Sequence, residues 1–254
     1  MVKVMQNIDN RLKKGVVLAE LGGYGDGPYC ADYGKGAALV MMGTYIVDAG
    51  DTVPYPEHFV FKPGRKNYSG YLKEHISAAR QSGAAVGVSV VCVNMQDDID
   101  FLATAEEAGA DYLSLCLNSA MPMFVDAGLS SALLRRENWP ELRARVEPVL
   151  KSLTRPFIVK IGTWTTSDAI EASGELTEIG VPIIHAHVPE SATPESLDTI
   201  KKLKEHCHCL IVGGGIKNLV DAQMVLNAGA DSISIGSAAM EEAGLCGHIQ
   251  ARLR

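Results

Sequence analysis

The 254-residue chain sets 23 Lys and Arg against 30 Asp and Glu, a formal net charge of −7, with 47% hydrophobic and 21% charged residues. That length and balance fit one large α/β domain and exclude a disordered or fibrous chain, while the acidic excess argues against the broad basic face that a nucleic-acid backbone requires. Six cysteines without Cys-x-x-Cys spacing, no apolar signal region at the start, and no apolar run near the ~20 residues of a spanning helix point to a reducing cytoplasm and to no membrane segment.

Short apolar runs alternate with segments of helical period, the pattern of βα units wound around a parallel sheet. Strands are predicted over residues 16–21, 39–44, 86–93, 112–117, 157–161, 183–187, 209–212 and 232–235. Eight strands make a (β/α)8 TIM barrel, and residues 1–254 read as a single domain of that kind. Helical faces are legible between them: Ile99, Leu102 and Ala105, then Leu197, Ile200 and Leu203, then Leu219, Ala222, Val225 and Leu226.

Two of these helices end in matching phrases, Glu107-Ala108-Gly109-Ala110-Asp111 and Asn227-Ala228-Gly229-Ala230-Asp231, where the glycine suits the residue that closes a helix before the next strand. Residues 48–71 break the rhythm. They carry Pro54, Pro56, Pro63 and Gly64 beside Arg65 and Lys66, and as an insertion at the C-terminal rim they read either as a mobile lid or as a static surface excursion.

The last two strand-loop units carry the strongest functional signal. Gly213-Gly214-Gly215 follows one apolar strand, and Gly236-Ser237 follows the next about 21 residues later. Side by side, such loops offer backbone N–H groups to a phosphate, although ordinary strand-to-helix turns leave a similar trace. Further polar residues fall at predicted strand ends: Glu20, Ser89, Asn118, Lys160, His185 and His187. A lysine at the end of the run Phe157-Ile158-Val159-Lys160 is costly to bury unless an anionic or electron-rich ligand, or a carboxylate such as Glu20, meets it. His185 and His187 alternate on one strand and so share a face. The His206-Cys207-His208-Cys209 run alternates in the same way, which keeps its four side chains from converging on one ion; no metal is expected.

These residues, in this order, resemble the flavin-binding barrel of the tRNA-dihydrouridine synthases and, more distantly, the dihydroorotate dehydrogenases. Leu18-Ala19-Glu20-Leu21-Gly22-Gly23 is similar to that family's first-strand motif, with Glu20 in place of a proline. Asn118-Ser119-Ala120-Met121-Pro122 is similar to the loop that carries its catalytic cysteine, with Met121 in the cysteine's place. Val159-Lys160-Ile161 resembles its flavin-contacting lysine, and His185-Ala186-His187 its His-Gly-Arg. The resemblance implies FMN, held by Ala19, Glu20, Leu21, Ser89, Lys160, Gly213, Gly214, Gly236 and Ser237, with Asn118, His185 and His187 as catalytic groups.

It also implies hydride transfer between flavin and a C=C bond of a small molecule, with an acid on the opposite face. Methionine has no proton to give, so the acid is expected elsewhere at the rim: Tyr24, Tyr29, a deeper Cys116, or, as the stronger candidates, the two strand histidines. No counterpart of the family's C-terminal helical tRNA-binding domain is expected here, nor is tRNA as substrate. A homo-oligomer is compatible with this reading. Two other readings stay open: a non-catalytic flavin or phosphate binder, and an aldolase or isomerase using Lys160 as a Schiff-base nucleophile.

Overall fold

In the computed structural model, residues 10–50, 52 and 55–253 are described. Pro54 and the first nine residues, on which two of the expectations above bear, lie outside them. Eight parallel strands form the barrel: β1 (Gly15–Leu18), β2 (Leu39–Val47), β3 (Ala85–Cys92), β4 (Tyr112–Cys116), β5 (Phe157–Gly162), β6 (Ile183–His187), β7 (Cys209–Gly213) and β8 (Ser232–Ile235). Each pairs with its neighbours in sequence, and β8 pairs with β1 through Val17↔Ser234 and Leu18↔Ile235, which closes the sheet. The result is a single-domain (β/α)8 barrel. No helix among the described residues is long and apolar enough to cross a membrane.

Strand alternation divides each strand between two cores. Val17, Leu39, Met41, Tyr112, Ile158, Ile183, Cys209 and Ile211 point inward and fill the barrel floor. Their sequence neighbours, such as Val16, Val40, Val159, Ile184 and Val212, point outward and pack against the helices. The helix Met95–Glu107 buries Phe101, Leu102 and Ala105, and Pro194–His206 buries Ile200 and Leu203, so the periodicity marks the buried faces correctly.

The matching helix-to-strand phrases have matching jobs. Gly109 and Gly229 take φ of +101° and +117°, and the aspartate that follows each turns back to the preceding strand. Asp111 accepts from Val86 N at 2.9 Å and pairs with Arg80; Asp231 accepts from Leu210 N at 2.8 Å and pairs with Lys204.

Two predicted boundaries move by more than one residue. β1 ends at Leu18 and not at residue 21, which releases Glu20 from the ladder into the barrel mouth. β2 runs on to Val47 across an irregularity between Met42 and Tyr45, and the two-residue strand Val60–Phe61 pairs with its end. That extension favours the static excursion over the lid for residues 55–71. Phe59 and Tyr68 are fully buried in an aromatic cluster with Tyr45, Phe61, Tyr71 and Phe101, so residues 55–71 are anchored in the core. The helix Leu245–Gln250 covers the opposite end of the barrel, where Gln250 Oε1 accepts from Val16 N at 2.6 Å.

Candidate functional site

Inward alternation on β5 and β6 lifts Lys160, His185 and His187 to the C-terminal mouth, with Lys160 beside His185 and His187 beside Gly213 in the strand register. Glu20 reaches in from the far side, after β1. Its Oε1 lies 3.2 Å from Lys160 Nζ, and its Oε2 lies 3.7 Å from His185 Nδ1. Glu20 and His185 are buried and the Lys160 side chain is 12% exposed, and the ion pair spans the mouth from the segment after β1 to β5. Neither Glu20 oxygen nor His185 Nδ1 has an aligned hydrogen-bond partner among the described residues.

Burial raises the pKa of Glu20, but Lys160, His185 and the backbone together outweigh it and leave the carboxyl below its usual range. Glu20 is therefore ionised at neutral pH. Burial drives His185 down to about 3 against the pull of Glu20, and lowers His187 as well, with Lys160 adding to the shift. Both imidazoles are thus neutral. This corrects the expectation that a strand histidine is the ready acid, because an imidazole already neutral has no easily given proton at neutral pH.

Glu20 and Lys160 form a common wall between two lobes of the mouth. One, about 200 Å³, is bounded by Ala19, Leu21, His185, His187, the run Gly213–Lys217, Ser234, Gly236 and Ser237. The N–H groups of Gly214, Gly215, Gly236 and Ser237 donate to no carbonyl among the described residues. Gly214 sits at φ +123°, and a Cβ there would lie 2.0 Å from the Val188 carbonyl oxygen, so the loop admits only glycine at that position. The other lobe, about 180 Å³, lies over Ile46, Val91 and Cys116 and is edged by Thr44, Tyr55, Asn118, Ser119 and Met121. Neither lobe alone reaches the ~300 Å³ of an ordinary ligand cleft, whereas the two together exceed it.

The structure thus brings together eleven of the twelve site residues expected from sequence. Ser89 stands apart. It is fully buried in β3, its hydroxyl 3.3 Å from that of Thr44, and it lines neither lobe. Tyr24 and Tyr29 also stand outside the two lobes, Tyr29 stacking on Tyr33. Cys116 does line the second lobe, where burial raises its thiol and keeps it protonated.

Among the residues at the site that sequence reasoning missed, two place a donor at its edge from outside the barrel strands. Tyr55, from the Pro-rich insertion, lines the second lobe and donates from its hydroxyl to Thr44 O at 2.8 Å. Trp164, just past β5, is 63% exposed, donates from Nε1 to Asn118 Oδ1 at 3.1 Å and lies 5.5 Å from the His187 ring. Its place two residues beyond a strand end was the available signal.

The model of a family described as histidine biosynthesis protein matches residues 168–253, which hold β6 to β8 and both glycine loops. An uncharacterised protein of Methanocaldococcus jannaschii is 30% identical over 159 residues, 60% of this chain and 59% of that one. A putative imidazole glycerol phosphate synthase subunit of Campylobacter jejuni is 50% identical over 46 residues, 18% of each chain. The chain spans less than two thirds of the length of either relative. Among solved structures, dihydroorotate dehydrogenase (DHODH) of Eimeria tenella in complex with ferulenol aligns at TM-score 0.68 with 16% identity, covering 94% of this chain and 80% of that one. The ligand-free form aligns at 0.65 with 17% identity, covering 98% and 89%. At these identities the likeness is one of fold.

Proposed function

We propose that this barrel binds FMN and acts as a flavin-dependent oxidoreductase on a small substrate, by a dihydrouridine synthase-like arrangement that lacks the cysteine. The observation that carries the reading is the continuity of the mouth: a glycine cradle at one end, a buried ion pair in the middle and a second lobe beyond. The cradle N–H groups suit a phosphate. Lys160 can donate to a ring carbonyl, and the orphaned oxygens of Glu20 can accept from a ring N–H, so the residues present fit the group.

When bound, FMN supplies hydride transfer to or from a C=C bond conjugated to a carbonyl. The chain's own residues orient and protonate. Asn118, fixed by Trp164, edges the second lobe. Tyr55 edges the same lobe with an O–H that burial keeps protonated and that donates to Thr44 O; exchanging that bond for one to the substrate would let it supply the proton that Met121 cannot. A Schiff base on Lys160 is disfavoured, because an ammonium paired with Glu20 is a poor nucleophile.

A second reading is a proton-transfer reaction on a phosphorylated substrate without flavin, with Glu20 as base. The family match over residues 168–253 favours it. Absorbance spectroscopy separates the two. The purified protein mixed with FMN and passed over a desalting column is expected to retain the oxidised-flavin bands; a colourless protein that binds sugar phosphates instead would replace the first reading with the second.

A further inference from the structure

The second lobe holds its charges in an unusual way. Among the described residues that line it, two are ionised, Glu20 and Lys160, and they face each other at 3.2 Å. The rest of the lining is neutral: Cys116 and Tyr55 keep their protons, and Ile46, Val91 and Met121 are apolar. We infer that Glu20 neutralises Lys160 and thereby restricts the second lobe to uncharged carbonyl compounds, excluding carboxylates. The inference rests on the reading of this lobe as the substrate side of the flavin site.

The argument is electrostatic. A carboxylate entering the lobe would exchange water for a lysine already paired, and it would approach a second carboxylate that the same lysine already occupies. An uncharged carbonyl oxygen pays no such cost. Lys160 has three N–H donors and Glu20 engages one side of the ammonium, so a ligand carbonyl can take another. A cleft built for an anionic substrate would instead leave its lysine free or add an arginine fork. Here the carboxylate arrives from the segment just past the end of β1.

The test is a pair of calorimetric titrations, with cyclohexenone and with its ring-carboxylate analogue, on the wild-type protein with and without FMN. Cyclohexenone is expected to bind at least about tenfold more tightly than the carboxylate. Glu20→Gln frees Lys160 and is expected to move that ratio toward the carboxylate by at least about tenfold, a shift of ~1.4 kcal/mol. The double variant Glu20→Gln with Lys160→Met removes both charges and is expected to restore the preference for the uncharged compound, and it decides the matter with the wild type should the single variant not fold.

Equal or tighter carboxylate binding by the wild type, an unchanged ratio in Glu20→Gln, carboxylate binding that survives in the double variant, or binding of neither compound would each overturn the inference. Failure of FMN to bind overturns the flavin reading alone, because the titrations without FMN still measure the charge preference.

Discussion

At the scale of single residues, the mouth is governed by which charges burial permits. Lys160→Ala removes the cation that holds Glu20 ionised, and it is expected to weaken FMN binding at least about tenfold, ~1.4 kcal/mol. Flavin fluorescence titration measures this; unchanged affinity would place the ring away from β5. Stability should fall too, by at most about 3–5 kcal/mol in urea unfolding, since the buried Glu20 carboxyl loses its partner and must take up a proton to stay in the interior. His185 gives a pH signature. Its folded pKa of about 3 lies below the ordinary 6.5, so the unfolded chain binds the extra proton between those values. The stability that neutral His185 provides is therefore complete above pH 6.5 and lost as pH falls toward 3. The stability difference between wild type and His185→Asn should narrow by a few kcal/mol between pH 7 and pH 4; a constant difference would mean that the imidazole is already solvated in the fold.

At the scale of elements, the site depends on what holds strand ends and loops in place. The glycine loop after β7 is held by Ser191, whose N and Oγ both donate to Gly214 O at 2.9 and 2.6 Å. Gly214→Ala forces a Cβ against the Val188 carbonyl at a φ that alanine rarely adopts. It is expected to cost at least about 1–3 kcal/mol and to abolish retention of a phosphate ligand, read by thermal unfolding and by equilibrium dialysis; normal retention would exclude this loop as the cradle. Behind β3, Arg145 pairs with Asp98 and donates to the carbonyls of Cys92 and Val93, joining the helices Met95–Glu107 and Trp139–Ser152 to the strand end. Burial still raises the Asp98 carboxyl to about 7. The strands and glycine loops were legible in the sequence because apolar runs and helix-ending glycines are local signals. Tyr55 and Trp164 were not, because loop residues reach a site only through packing that no periodicity records. The lowered pKa of the two histidines was not legible for a related reason: residue type carries an ordinary pKa, and burial beside Lys160 changes it.

At the scale of the whole molecule, the two lobes are assembled from both halves of the barrel. Glu20, Thr44 and Tyr55 come from the first quarter of the chain, Asn118 and Lys160 from the middle, and the glycine loops from the last quarter. A ligand that fills the mouth must therefore engage strands that only the closed barrel brings together, and it binds the folded chain in preference to the unfolded one. At 100 times its dissociation constant such a ligand stabilises by about 2.7 kcal/mol, which for a domain of this size raises the melting temperature by about 5–10 °C. FMN is expected to give that shift, and inorganic phosphate at the same concentration, touching only the glycine loops and so binding more weakly, a smaller one. Met121→Cys should leave the FMN shift unchanged, because Met121 edges the second lobe and lies outside the cradle. A shift from phosphate as large as that from FMN would confine binding to the β7 and β8 loops and favour a phosphorylated substrate over flavin.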